Sequence, residues 1–220
     1  TRPEASADVI TLVGIDLSSA APVWGGRCFA GQTEAFYLSP TSLYLATTRW
    51  NYSAGAAADM IYPPSVQTDI HRFALSALTP EYRGSGTVTG HLGFDQNRKS
   101  FRMGEHDGIL RVATQSSERW GPVVALPVAG AASVSGSTDE VATPDSPVRL
   151  TLLKPSAEKA ELAVVSTLPN PRHPAPLGKV GEQLYASRFL GDRGYLVTYR
   201  LTDPLYVLDL SDPADPKVAG

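Results

Sequence analysis

An all-β fold is predicted for this 220-residue sequence by three observations. The carboxy-terminal part reads as a three-strand meander, an apolar strand ending recurs along the chain, and a series of hairpins aligns residue by residue. The meander is Leu184 to Ser211. Leu184 to Phe189 alternates large and small residues, and Gly191-Asp192-Arg193-Gly194 supplies the turn chemistry of a tight hairpin. Tyr195 to Tyr199 is β-branched and aromatic, and Asp203-Pro204 turns the chain into Leu205 to Leu210.

The recurring ending is an apolar strand, a Leu-Ser step and a turn containing proline. It occurs as Ile15-Asp16-Leu17-Ser18, as Phe73-Ala74-Leu75-Ser76 and as Leu208-Asp209-Leu210-Ser211, with a weaker copy at Leu150 to Pro155. The hairpins are Phe36 to Thr48, Ser100 to Thr114 with Asp107-Gly108 at its turn, and Leu184 to Tyr199. Leu43-Tyr-Leu-Ala-Thr47 aligns with Leu110-Arg-Val-Ala-Thr114, 67 residues later. Tyr195-Leu-Val-Thr-Tyr199 follows after another 85.

We label the two hairpin strands A and B, and the strand with the Leu-Ser ending C. A fourth strand, D, fits Gly86 to Leu92 and Glu161 to Thr167. Repeated A-B-C-D order is that of a β-propeller built from four-stranded antiparallel blades. The periods exceed the usual ~40–50 residues of a blade because residues 49–68 and 115–147 form long insertions between B and C. The blades are expected at about 9–30, 34–92, 98–168 and 182–220, within a single domain. The first would hold only C and D. The last would stop at Lys217 to Gly220, where its D strand should begin. That makes about three and a half blades where a closed ring needs at least ~4. The exposed edges are therefore expected to be capped by remaining blades or by another protein chain.

Composition narrows the function classes. A net charge of −3 offers no basic surface for nucleic acid. No apolar run approaches the roughly 18 residues of a membrane span. The single cysteine, Cys28, cannot form an intrachain disulfide and reads as a small buried hydrophobe.

Gly181-Glu-Gln-Leu-Tyr-Ala-Ser-Arg-Phe-Leu-Gly-Asp192, with Tyr195 to Tyr199 and Asp209-Leu-Ser-Asp-Pro213, resembles the most recognisable motif of bacterial secreted proteins containing a carboxy-terminal β-propeller domain. Ser100 to Thr114 is similar to a second motif, and Thr68 to Phe73 with Ser85 to Gly90 to a third. The resemblance implies a secreted or cell-envelope protein, distantly related to WD-type repeats, and carries no catalytic residues with it.

Chemistry-bearing patterns are few. Glu105-His106-Asp107 is the densest titratable cluster, and is expected to be a turn with solvated shoulders. Asp209 to Asp215 lacks the Asp-x-Asp-x-Asp-Gly pattern of a calcium loop and reads as Asp-Pro turns. His71, His91, His106 and His173 lack zinc-ligand spacing, and no nucleophile elbow or phosphate loop is present. No catalytic, cofactor-binding or metal-ligating set emerges, and no cofactor is expected.

The function read from this is a non-catalytic binding or protein-interaction scaffold. The alternative is a propeller hydrolase or lyase with its active site on the ring axis. In a propeller, B-to-C and D-to-A connections emerge on one face, so both insertions should stand together there. They carry Trp50, Asn51, Tyr52, Tyr62 and Trp120, aromatic-rich residues suited to a ligand or partner face. Within the second insertion, residues 131–147 are expected to be mobile.

Overall fold

A computed structural model describes residues 8–18, 20–51, 65–75, 78–116, 146–200 and 204–220. Four antiparallel sheets follow one another along the chain. The first pairs β1 (Val9–Asp16) with β2 (Val23–Ala30). The second contains β3 (Ala35–Leu38), β4 (Ser42–Asn51), β5 (Ser65–Ala74) and β6 (Glu81–Thr89) in that order. The third contains β7 (Met103–His106), β8 (Ile109–Gln115), β9 (Val148–Pro155) and β10 (Leu162–Leu168). The fourth contains β11 (Gln183–Leu190), β12 (Arg193–Tyr199), β13 (Leu205–Asp209) and β14 (Lys217–Val218). Each four-stranded sheet keeps the A-B-C-D order, which is that of propeller blades. The helical content described is one α-turn, α1 (Gln96–Lys99), and one 3-10 turn at Ser100–Arg102.

Local chemistry explains the elements. At the β7–β8 turn, Asp107 and Gly108 both have positive φ, +50° and +73°, as a two-residue hairpin turn of that hand requires. The β11–β12 turn uses Gly191 at +53°. The recurring strand ending has a physical basis too. Asp16 Oδ1 accepts the Ser18 N–H at 2.8 Å, and Asp209 Oδ1 accepts both the Ser211 N–H and its hydroxyl. Two Asx turns thus stop the C strands of the first and last sheets in the same way.

The core lies between successive sheets. Ile10, Leu12 and Phe29 of the first pack on Leu43, Leu45 and Phe73 of the second. Tyr44, Ala46, Ile70 and Val88 meet Leu110, Val112, Leu153 and Leu162 between second and third. Ala113, Leu150 and Leu152 meet Leu184, Leu196 and Leu208 between third and fourth. Among the described residues no core cluster joins the first sheet to the fourth, so the propeller is open and partial.

The structure departs from the sequence-based expectation in four places. The last sheet does have its D strand: β14 pairs with β13 through Leu208–Val218 and Asp209–Lys217. The turn closed by Asp215 N–H on Asp212 C=O reverses the chain within a few residues and brings Lys217 and Val218 alongside β13. The first insertion is shorter than expected, because Arg49, Trp50 and Asn51 pair with Gln67, Val66 and Ser65. Arg49 is also paired to Asp69 across that ladder, which favours extending the strands. Cys28 is exposed, since its position on β2 faces away from the second sheet. Glu105 is half-buried rather than solvated, because its carboxylate accepts the Ser39 hydroxyl at 2.8 Å.

Most of residues 131–147 lies outside the described residues. Ser146, at its end, is buried and donates to Val148 O at 2.6 Å.

Candidate functional site

The face carrying the B-to-C and D-to-A connections holds an aromatic cluster. Trp50, near the end of β4, stands with its ring centroid 5.3 Å from that of His91. It stacks on Phe94 at 6.2 Å with an interplanar angle of 15°. His91 and Phe94 belong to the connection from β6 to β7, and their rings are 4.9 Å apart. Three rings, one from β4 and two from the connection between β6 and β7, therefore form one group, with Phe94 70% exposed and Trp50 37% exposed.

His91 is the fixed floor of this group. Its backbone exchanges two hydrogen bonds with Gln115, the last residue of β8, at 2.9 and 2.8 Å. Its Nδ1 accepts the Gly93 N–H at 3.0 Å. Gly93 has φ +89°, which lets the chain double back so that Phe94 rises over the histidine. Burial pushes the His91 pKa down to about 4; Glu34 opposes that shift, while Lys99 and Arg102 reinforce it. The imidazole is thus neutral at physiological pH, and the platform above it is uncharged.

Polar groups flank the platform. Glu34 accepts from the Lys99 ammonium at 3.0 Å and from the Thr48 hydroxyl. Asp95 caps α1 by accepting the Asn97 N–H, and it pairs with Arg98 at 2.9 Å. The Arg98 guanidinium lies 3.8 Å over the Tyr185 ring, and Tyr185 stands 6.0 Å from Tyr199. A second cation–π contact places Arg188 3.5 Å over Phe101.

Of the residues singled out in the sequence, Trp50 takes part in the cluster. Asn51 pairs through its backbone with Ser65. Tyr52, Tyr62 and Trp120 lie outside the described residues. Phe94, His91, Tyr185 and Tyr199 did not stand out by motif. For Phe94 a signal did exist: it follows Gly93 in a D-to-A connection, which shares a face with the B-to-C insertions.

The other three histidines are engaged with neighbouring side chains. His106 Nε2 lies 3.5 Å from Asp192 and 3.7 Å from Asp107, across two A-to-B turns. His173 is 3.1 Å from Asp215, which Arg172 also approaches at 3.5 Å. His71 Nδ1 is 3.5 Å from the Tyr82 hydroxyl. Among the described residues no group of three His, Cys, Asp or Glu side chains is placed to hold a metal ion. Among the described residues no helix is long and apolar enough to cross a membrane.

Comparison with known proteins adds the family. The chain is 36% identical over 136 residues to an uncharacterized protein of Methanocaldococcus jannaschii, a match covering 62% of this chain and 16% of that protein. It is 59% identical over 39 residues to an uncharacterized protein of Archaeoglobus fulgidus, covering 18% of this chain and 6% of the relative. The chain therefore spans less than one fifth of the length of either relative. Both relatives come from archaea rather than bacteria. No solved structure matches. The family model for the beta propeller domain matches residues 1–220, and with four consecutive sheets in blade order this chain belongs to the beta propeller domain family.

Proposed function

We propose that this chain is a non-catalytic binding module, a protein-interaction scaffold whose recognition face is the one bearing Trp50 and Phe94. The observation that carries the reading is the stacked, exposed Trp50–Phe94 pair on a buried neutral histidine. Phe94 leaves most of its ring in water while anchored to a rigid β scaffold, an arrangement that favours a partner over packing. The flanking Arg98–Tyr185–Tyr199 group extends the same aromatic-plus-arginine chemistry onto the fourth sheet. Remaining blades or another protein chain would cap the open edges of the sheets. The motif resemblance supports a secreted or cell-envelope setting, which fractionation of source cells with an antibody to this chain would test.

The experiment for the recognition face is affinity capture from a source-cell extract with wild type and Phe94→Ala. Loss of the captured partners at unchanged melting temperature is expected, since an exposed substitution costs only ~0.5 kcal/mol or less. An identical captured set from the variant would overturn the assignment.

A further inference from the structure

Two arginines near the Trp50–Phe94 platform are held against aromatic rings. The Arg98 guanidinium lies 3.8 Å over the Tyr185 ring, and that of Arg188 lies 3.5 Å over Phe101. Arg98 and Phe101 belong to the connection before β7, while Tyr185 and Arg188 belong to β11. Both pairs therefore join the third sheet to the fourth, and each of those sheets is four-stranded in this chain.

Stacking covers one face of a guanidinium and leaves its in-plane N–H groups to other partners. Arg98 uses Nε on Asp95 at 2.9 Å and Nη1 on the Tyr185 carbonyl at 3.4 Å. Among the described residues its Nη2 and the whole Arg188 guanidinium have no hydrogen-bond or ion-pair partner. The same Tyr185 carbonyl also accepts Arg102 Nη2 at 3.3 Å, so two cations share one oxygen.

The region is basic in a chain of net charge −3. Residues 90–102 and 169–190 hold six cations, Arg98, Lys99, Arg102, Arg172, Lys179 and Arg188, against two carboxylates, Asp95 and Glu182. From outside these segments, Glu34 takes Lys99 and Asp215 takes Arg172. Arg102 has carbonyls and one hydroxyl as partners, and Arg188 has a ring. Positive charge is thus left uncompensated beside α1 and β11, and the net charge of the chain hides it.

We propose, building on the recognition face assigned above, that this surface takes an acidic segment of a separate protein. An apolar side chain of that segment sits on the Trp50–Phe94 pair, and its carboxylates meet Arg98 and Arg188. Phe94 and Arg98 lie four residues apart on one short connection, so a single segment reaches both. The two guanidiniums rest on different rings and offer separate forks, which match separate carboxylates better than one phosphoryl group. They already cover a face of Tyr185 and of Phe101, which leaves less stacking surface for the bases of single-stranded nucleic acid. Stacking also pre-orders both side chains, so less freedom is lost when a carboxylate binds.

The test measures fluorescence anisotropy of short labelled peptides with the 220-residue chain. The peptides share one central phenylalanine and differ in their flanks, which are glutamates, glutamines or phosphoserines. The glutamate peptide is expected to bind roughly tenfold or more tightly than the glutamine peptide, and to weaken as salt is raised. Arg188→Gln and Arg98→Gln should each weaken the glutamate peptide by roughly tenfold and leave the glutamine peptide unchanged. Arg188→Lys should restore only part of the loss, because an ammonium lacks the planar fork. Thermal melts of the variants confirm that each is folded.

Equal binding of glutamate and glutamine peptides, or no binding of either, would overturn the proposal. So would a preference for the phosphoserine peptide, tighter binding of an oligothymidylate, or self-association that Arg188→Gln abolishes, which makes the occupant a second copy. Phe94→Ala separates this chemistry from the recognition face itself. If Phe94→Ala loses the glutamate peptide while both glutamine variants keep it, the face stands and the acidic partner is refuted. If the glutamine variants lose the peptide while Phe94→Ala keeps it, the acidic site stands and the aromatic face is refuted.

Discussion

The Thr198 hydroxyl donates to Glu182 Oε2 at 2.6 Å, joining the B strand of the last sheet to the residue before its A strand. Glu34 holds the same place before β3 and accepts from Thr48 of β4. In the third sheet the residue before β7 is Arg102, which reaches forward to the next sheet instead. The blades thus share a rule, a charged residue at the entry to strand A, and apply it with opposite charges.

Glu182 yields a pH prediction. Burial acts to raise its pKa, but the Thr198 hydroxyl, the Lys179 N–H and the Lys179 charge outweigh it and hold the carboxyl below its ordinary 4.5. A depressed folded-state pKa stabilises the protein above the unfolded value, and that stability is lost as pH falls through the folded one. Glu182→Ala should cost about 2 kcal/mol at pH 7, with the gap to wild type closing in acid. Urea denaturation at pH 7 and pH 3 measures both.

His91 gives a second pH dependence of the same sign for a different reason. Its folded pKa of about 4 lies below the ordinary 6.5, so the unfolded chain binds a proton that the folded chain refuses. Stability should fall between pH 6.5 and 4 by about 3 kcal/mol, the shift converted at 1.36 kcal/mol per unit. His91→Asn should flatten that part of the stability curve. An equally steep curve in the variant would show that the histidine is not its source.

Arg102 is buried and donates to Leu92 O, Leu184 O, Tyr185 O and Ser187 Oγ, with no carboxylate among these partners. Burial lowers its pKa to about 10, still far above neutrality. Arg102→Met leaves three carbonyls without their donor and should cost about 3 kcal/mol or more. Arg102→Lys should not restore stability, because a point charge cannot reproduce the planar fork. Thermal melts of the two variants check both statements.

The second and third sheets meet at glycine. A Cβ on Gly84 would lie 2.2 Å from the Ala160 carbonyl carbon, beside the parallel bridge Ser85–Glu161. Gly84→Ala should therefore force the outer strands apart and cost about 3 kcal/mol or more. Gly108→Ala meets nothing within 4 Å and should cost only about 1 kcal/mol, from its positive φ. Comparable melting temperatures for the two variants would contradict this account.

Strand identity and order were legible in the sequence because both depend on local chemistry. Asp107-Gly108 and Gly191 make hairpin turns wherever they stand, and the alternation in Leu43 to Thr47 suits a strand in any context. The repeated Asp-Leu-Ser ending marked where C strands stop, since its Asx turn lies within three residues. Tertiary structure alone decided that Trp50 extends a strand, that His91 is buried beneath it, and that Phe94 completes the stack. Those three residues are brought together by the ladder ending at Asn51–Ser65 and by the His91–Gln115 bridge. Both are contacts between chain segments far apart in sequence, and neither leaves a pattern at residue spacing. Whether a turn forms is settled within a few residues; which side chains share a face depends on how whole sheets pack.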